Sequence, residues 1–395
     1  MSTALRRPLG VCMVTFAMPP EHSGAARQAL TLAAHLAGSG VGVRFVTMRS
    51  TAAGADADCV AGFRVVRVVK RHTVEKAIAP LRVFLALFRE RAQFDIVHVH
   101  GVGYLSSVAV LFGWCFGKAT VIKMTMFTED DALSVRSRRF GAITYAFFSR
   151  ASRIVAITDS FYRSCVAAGI PEARVARIPN GVDTQLFMPV GPDRKRELRR
   201  AMSLPEQATL LVYAGIIREE KGIDVLLDVV GQLAAWRRDV ALVLLGPVES
   251  WLPAIEQRYA AAQLARIAEG DVKGLVYYRG DVSNVSEYFQ ASDIFVSASR
   301  REGFPNVVLE AMASGLPPVV LEVSDVHANV LENGRDSVVV SPPDRRDLAG
   351  RVKELIDDPE LRQRLAEAAV AKARAGFSAR KVADDYLALY RSLVG

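Results

Sequence analysis

The chain has 395 residues, 51% of them hydrophobic and 23% charged. That composition can fill sizeable cores and excludes a disordered chain, and at roughly 150 residues per domain it suggests two or three domains. Fifty lysines and arginines against 42 acids leave a net charge of +8. This mild excess suits phosphates or an anionic membrane surface. No basic run with interleaved aromatics is present, so nucleic acid is not an expected partner.

Cys12, Cys59, Cys115 and Cys165 are far apart and have no zinc or redox spacing, which argues against a disulfide scaffold and for a reducing compartment. The apolar run near the N-terminus, VCMVTFA, is too brief for a secretory signal and reads as a buried first strand. The longest apolar run, 102–117, falls short of the roughly 20 residues that span a bilayer. A cytoplasmic location is therefore expected.

In chain order, short continuous apolar runs predict strands at 11–16, 43–47, 63–69, 96–100, 120–124 and 154–158. Helices are predicted between them at 25–37, 81–91 and 138–149. Runs without alternation indicate strands covered on both faces, hence a doubly wound parallel sheet. A stretch rich in proline, glycine and basic residues follows, reading as a linker and a charged helix. A second series then predicts strands at 209–214, 241–245, 275–278, 294–297, 318–321 and 337–340. Its helices lie near 223–236 and 306–314, and a charged helical tail covers 348–393. The expected division is an N-terminal domain at 1–190, a C-terminal domain at 191–377 and a last helix at 378–395.

The segment REGFPNVVLEAMASGLPPVV carries the most chemistry. It follows a strand, so Glu302, Gly303 and Phe304 sit at a strand's carboxyl end, where open α/β sheets bind ligands. Pro305 suits the first turn of a helix beginning near Asn306, whose free N–H groups can meet oxygen atoms. Glu310 lies about a turn further on. An ordinary strand–turn–helix with two solvated glutamates would look the same. A second strand–loop–helix, YAGIIREEKGIDVLLDVV, has Gly215 at its turn and Arg218 and Lys221 before the helix. This is either a diphosphate clamp or a surface charge pair.

These segments resemble glycosyltransferase family 4, the retaining GT-B glycosyltransferases with an EX7E motif, here Glu302 to Glu310. The resemblance implies a GT-B fold: α/β, two Rossmann-like domains with parallel sheets facing a central cleft. It implies transfer from a UDP-sugar or GDP-sugar to a hydroxyl acceptor, with retention and without a metal or other cofactor. The acceptor is a polysaccharide, a lipid-linked sugar or a small glycoside. The N-terminal domain would take the acceptor and the C-terminal domain the donor. The resemblance gives Arg218 and Lys221 the diphosphate, Glu302 with the amides of Gly303, Phe304, Pro305 and Asn306 the sugar hydroxyls, and Glu310 the ribose. It also places Gly24 near the donor phosphate, with Ala25 standing where a second glycine is usual.

His98 and His100 share one face of a strand end. A strand-end histidine is ordinarily a hydrogen-bonded structural one, and no third residue suggests a metal; by resemblance His100 lies near the donor sugar and, with Glu302, is assigned a catalytic role. The acidic triplet Glu129, Asp130 and Asp131 is assigned to acceptor binding or helix capping. The stretches PLRVFLALFRERAQF and RSRRFGAITYAFFSR join apolar faces to arginines, as core-facing helices or as a peripheral contact with an anionic leaflet. A nucleotide-sugar epimerase on the same fold and a non-catalytic sugar-nucleotide binder are the alternatives.

Overall fold

The computed structural model describes residues 8–21, 23–49, 57–69, 73–127, 129–138, 141–237, 239–248, 252–323, 327–341 and 347–394. The chain divides into two compact units, residues 1–181 with 379–395, and residues 182–378.

The first unit begins with β1 (Gly10–Thr15), α1 (Gly24–Gly38), β2 (Gly42–Arg49), β3 (Ala57–Val60) and β4 (Phe63–Val69). There follow α2 (Thr73–Glu90), β5 (Ile96–His100), α3 (Tyr104–Phe116) and β6 (Ala119–Lys123). Then come α4 (Ala132–Ser137), α5 (Gly141–Phe148), β7 (Arg153–Ala156), α6 (Asp159–Ala167) and β8 (Val175–Arg177). The strands form one sheet in the order β3-β4-β2-β1-β5-β6-β7-β8. All neighbours are parallel except β3 and β4, an antiparallel hairpin whose turn residues Ala61 and Gly62 both have positive φ. Every residue of β1 and β5 is buried, as expected of strands sandwiched between helices. Alternation sorts the two faces. Cys12, Val14, Val97 and Val99 join a core with Val83 and Leu87 of α2 and Leu105 and Phe112 of α3.

The second unit contains α7 (Pro192–Ala201), β9 (Thr209–Ala214), α8 (Ile223–Trp236), β10 (Val240–Leu245), α9 (Ala254–Glu269) and β11 (Val276–Gly280). It continues through α10 (Val285–Ala291), β12 (Ile294–Ser297), α11 (Asn306–Ala313), β13 (Pro318–Leu321) and β14 (Val338–Val340). The helices α12 (Leu348–Asp357) and α13 (Pro359–Phe377) complete it. Its parallel sheet runs β11-β10-β9-β12-β13-β14. The last helix, α14 (Ala379–Val394), belongs to the first unit, where it packs on α1 and sets Tyr386 and Tyr390 against His98 of β5.

Three expectations change. The helix expected at 81–91 starts eight residues earlier and runs through Pro80 as α2. The one expected at 138–149 is α5, which begins at Gly141, and a separate short helix, α4, precedes it. Gly141 opens α5 so close to α4 that a Cβ there would lie 2.2 Å from the Val135 carbonyl oxygen. The first stretch of the chain in unit one ends at Gly181 rather than at 190. Val182 already pairs with Ser378 and donates to the Phe377 carbonyl at 2.8 Å. The charged tail is three helices, stopped by Asp358 before Pro359 and by Ser378.

One buried ionic knot fixes α7 to its sheet. Asp293, at the entrance to β12, accepts from Lys195 at 2.9 Å, from Arg199 at 2.7 Å and from the Leu210 amide at 2.8 Å. Arg199 is 5% exposed and also donates to the carbonyls of Ala291, Glu206 and Ala208. Removing the acid strands a buried guanidinium. Asp293→Ala should therefore lower the urea-unfolding free energy of the second unit by about 3 kcal/mol. A loss below about 1 kcal/mol, the scale of an exposed pair, would contradict this reading.

Candidate functional site

The second unit's chain lays β9, β10 and β11 outward in one direction and β12, β13 and β14 in the other. The sheet thus reverses its direction of growth between β9 and β12, and the carboxyl end of such a boundary is where open α/β sheets bind ligands. Two loops frame that place, 215–222 after β9 and 298–305 after β12.

The loops are braced against each other. The Arg300 amide donates to the Glu220 carbonyl at 2.7 Å. The Arg300 guanidinium grips the Asp224 carboxylate at 2.7 and 3.1 Å and also donates to the Glu219 carbonyl. Tyr259 donates to the same Asp224 at 2.7 Å. Gly222 has φ +65° and lies against β12's exit, where a Cβ would come within 2.1 Å of the Ala298 carbonyl oxygen. Only glycine fits both conditions. A Cβ on Gly215 would meet the Tyr213 hydroxyl at 2.7 Å.

Lys221 Nζ lies 2.9 Å from Glu302 Oε1, and the two side chains are 20% and 12% exposed. Burial pulls the lysine's pKa down, but the Glu302 carboxylate outweighs it and the pKa stands at about 12. Arg218 pairs with Glu220 at 3.2 Å, and its Nε is buried with no partner among the described residues. The pair expected as a clamp is thus gathered at one place, with one cation already engaged by the expected sugar-binding carboxylate.

Gly303, Phe304 and Pro305 are buried. Pro305 precedes α11 as its cap residue rather than occupying the first turn, and it has no N–H. The Asn306 amide donates to the Phe304 carbonyl at 2.9 Å. Of the four amides expected to meet sugar hydroxyls, Pro305 has no N–H to offer, and that of Asn306 is engaged by Phe304 in the unliganded chain. Glu310 is 7% exposed within α11.

Two neighbours carried no sequence signal. Tyr213 is fully buried, its hydroxyl pushed up to about 12 chiefly by burial, within the fields of Lys221 and Glu302. His327 is 2% exposed, and its Nδ1 accepts from the Val323 amide at 3.4 Å. Its Nε2 has no partner among the described residues. Burial lowers its pKa, and the Glu302 charge works against that.

The remaining expected site residues lie in the first unit. Gly24 opens α1, whose cap Ser23 accepts from the Ala26 amide at 3.3 Å. His98 and His100 do share a face, with ring centroids 4.3 Å apart, and His100 is 1% exposed. Asp131 caps α4 by accepting from the Ser134 amide at 3.0 Å, and it also accepts from Ser164 at 2.8 Å. Asp130 accepts from the Thr125 hydroxyl and amide; burial raises its pKa against those bonds. Glu129 is exposed. Among the described residues no group of three His, Cys, Asp or Glu side chains is placed to hold a metal ion.

The two histidines are held neutral, with pKa values well below the ordinary 6.5 chiefly through burial. Below about pH 6.5 the unfolded chain binds protons at these rings that the folded chain does not, so stability is lost as pH falls. The thermal midpoint of the first unit should drop from pH 7 to pH 5. Replacing both histidines with glutamine should flatten that fall, and an undiminished slope would contradict the assignment.

A family model described as "Glycosyltransferase Family 4" matches residues 22–186, and one described as "Glycosyl transferases group 1" matches residues 194–372. The chain is 33% identical over 236 residues to D-inositol 3-phosphate glycosyltransferase 2 of Catenulispora acidiphila, covering 58% of this chain and 54% of that protein. It is 27% identical over 221 residues to the lipopolysaccharide core biosynthesis mannosyltransferase LpsB of Rhizobium meliloti, covering 55% and 60%. The alignments thus span just over half of these relatives' lengths. The structure of Anabaena HepE in complex with UDP and glucose superposes with a TM-score of 0.78 at 16% identity, covering 97% of this chain and all of that one. The two family matches together run over most of the sequence, and their division follows the two sheets; the chain has the GT-B fold and belongs to glycosyltransferase family 4.

Proposed function

We propose that the protein transfers a sugar from a nucleotide-diphosphate sugar to a hydroxyl acceptor with retention at the anomeric carbon. The observation that carries this reading is the Lys221–Glu302 pair, 2.9 Å apart, at the point where the second sheet reverses direction. In the unliganded chain each charge neutralises the other. A diphosphate arriving beside Arg218 and Lys221 takes over the lysine's charge, which leaves Glu302 able to accept hydrogen bonds from sugar hydroxyls. Glu310 accepts from the ribose hydroxyls. The bond from the anomeric carbon to the phosphate oxygen breaks, a bond to the acceptor oxygen forms, and the departing phosphate takes the acceptor's proton. No metal is required, because the two cations meet the leaving group's charge. The second unit holds the donor, with Gly24 of the first unit near its phosphate, and the first unit, with Glu129, Asp130 and Asp131, takes the acceptor.

The donor is a UDP-sugar or a GDP-sugar; the UDP complex of HepE favours uracil, while LpsB is named a mannosyltransferase. An epimerase or a non-catalytic binder is the less favoured reading. Calorimetry with UDP- and GDP-sugars tests the donor site: one class should bind, and Glu310→Ala and Lys221→Ala should each weaken it roughly 30-fold or more. Binding unchanged in both variants would remove the assignment. Proton NMR of the product's anomeric centre should show the donor's configuration kept; inversion would contradict the mechanism.

A peripheral membrane role on the cytoplasmic face rests on α2. Its exposed side carries Ile78, Leu81 and Leu85 with Arg82 and Arg89. No helix among the described residues is long and apolar enough to cross a membrane. Such a surface should co-sediment with anionic liposomes at low salt and release at high salt. Absence of binding at low salt would reject a lipid-linked acceptor presented in this way.

A further inference from the structure

Three helices of the first unit lie side by side, α2 against α3 and α3 against α5. Their inner sides are used: Val83 and Leu87 of α2 and Leu105 and Phe112 of α3 close on the sheet. Their outer sides are unusual. A helix on the outside of a sheet domain normally turns charged residues to water. In the second unit α13 does so, exposing Gln363, Arg364, Glu367 and Arg374. Helices α3 and α5 carry no charged residue at all.

What they expose instead is apolar. Leu111, Trp114 and Ile143 are exposed, Trp114 by 55%, and so are Leu81 and Leu85 of α2. Spacings of three and four residues keep Leu81 with Leu85, Leu111 with Trp114 and Ile143 with Phe147 on one side of each helix. Aromatic contacts join the pieces. The Trp114 ring lies 5.5 Å from that of Phe147 on α5, and the Phe116 ring 5.4 Å from that of Phe88 on α2, centroid to centroid. Single exposed apolar side chains are common, whereas a patch continuous over three helices marks an interaction surface.

The charge around this patch has one sign. Arg82 and Arg89 run along the Leu81–Leu85 stripe, and Arg150 extends that of Ile143 and Phe147. All three are exposed, and none is paired with a carboxylate among the described residues. The acids of the three helices stand at the ends of α2. Glu75 lies in its first turn, and Glu90 is held by Arg44 and Arg64. Both are half-buried.

These features select the occupant. A second copy docked about a two-fold axis would meet the same patch, setting arginines against arginines with no acid between them. A bilayer with anionic headgroups meets every part of it. Acyl chains take the leucines and the isoleucine, the headgroup boundary suits the Trp114 indole, and phosphates take the guanidiniums. We propose that α2, α3 and α5 form one docking face for an anionic lipid bilayer, with Trp114 as its aromatic anchor. The inference rests on the peripheral reading drawn from α2, adds the surface that enters the bilayer, and is independent of the transfer chemistry.

The test uses the full chain carrying Trp236→Phe and Trp251→Phe, which leaves Trp114 as its one tryptophan. At low salt, vesicles of phosphatidylcholine with phosphatidylglycerol should shift its emission to the blue, and brominated acyl chains should quench it. Phosphatidylcholine alone should have far less effect. Leu111→Glu and Ile143→Glu should each weaken vesicle binding roughly tenfold or more. Arg82→Gln should weaken it roughly fivefold. Thermal midpoints should stay unchanged, because all three positions are exposed. Vesicle binding that leaves Trp114 unshifted and unquenched, and is insensitive to Leu111→Glu and Ile143→Glu, would overturn this proposal and leave α2 as the contact. No binding at low salt would overturn both readings. A concentration-dependent dimer that Trp114→Glu disperses would also overturn it, giving the face to a second copy.

Discussion

Both units depend on one topological constraint, a parallel sheet whose strands are added first to one side of the starting strand and then to the other. The β1–β5 and β9–β12 boundaries follow from it. The carboxyl end of the strands at such a boundary is where open α/β sheets bind ligands. Residues meet there through the chain's direction rather than through contact with their sequence neighbours. Glu302 is brought to Lys221 across an 81-residue separation because β12 happens to lie beside β9.

The two boundaries handle buried charge differently. In the second unit cation and carboxylate are present together, and Arg300, Asp224 and Tyr259 hold the loops in register around them. The pair is self-neutralising, so the unliganded site is electrostatically closed. In the first unit burial lowers the pKa of His98, His100 and Lys123, and no carboxylate among the described residues pairs with the lysine.

Much of the framework is legible in the residues because buried parallel strands are unbroken apolar runs. The strands at 63–69, 96–100, 209–214, 294–297 and 318–321 have the expected bounds. The short edge strands β3, with sequence ADCV, and β8, with sequence VAR, escape that logic, since an edge needs no long apolar face. The α4–α5 break is invisible in periodicity because it is set by a close backbone approach at Gly141. Lys221 and Glu302, which the sequence singles out in two separate segments, are brought together in the structure. Tyr213 and His327 were not legible in the sequence, because a strand tyrosine and a lone histidine acquire meaning only from the field of Glu302. The Pro305 amide was misread because a proline has no N–H to offer. Lys123 also passed unremarked; in sequence it is one polar residue ending an apolar strand.

The account's central claim is that the reversal point of the second sheet holds the nucleotide. Hydrogen–deuterium exchange on the full chain, with and without UDP or GDP, tests it most directly. Slower exchange should appear in the loops 215–222 and 298–305 and the start of α11 with one of the two nucleotides, and β3, β4 and α9 should be unchanged. Protection confined to other segments, with these loops exchanging as before, would contradict the account.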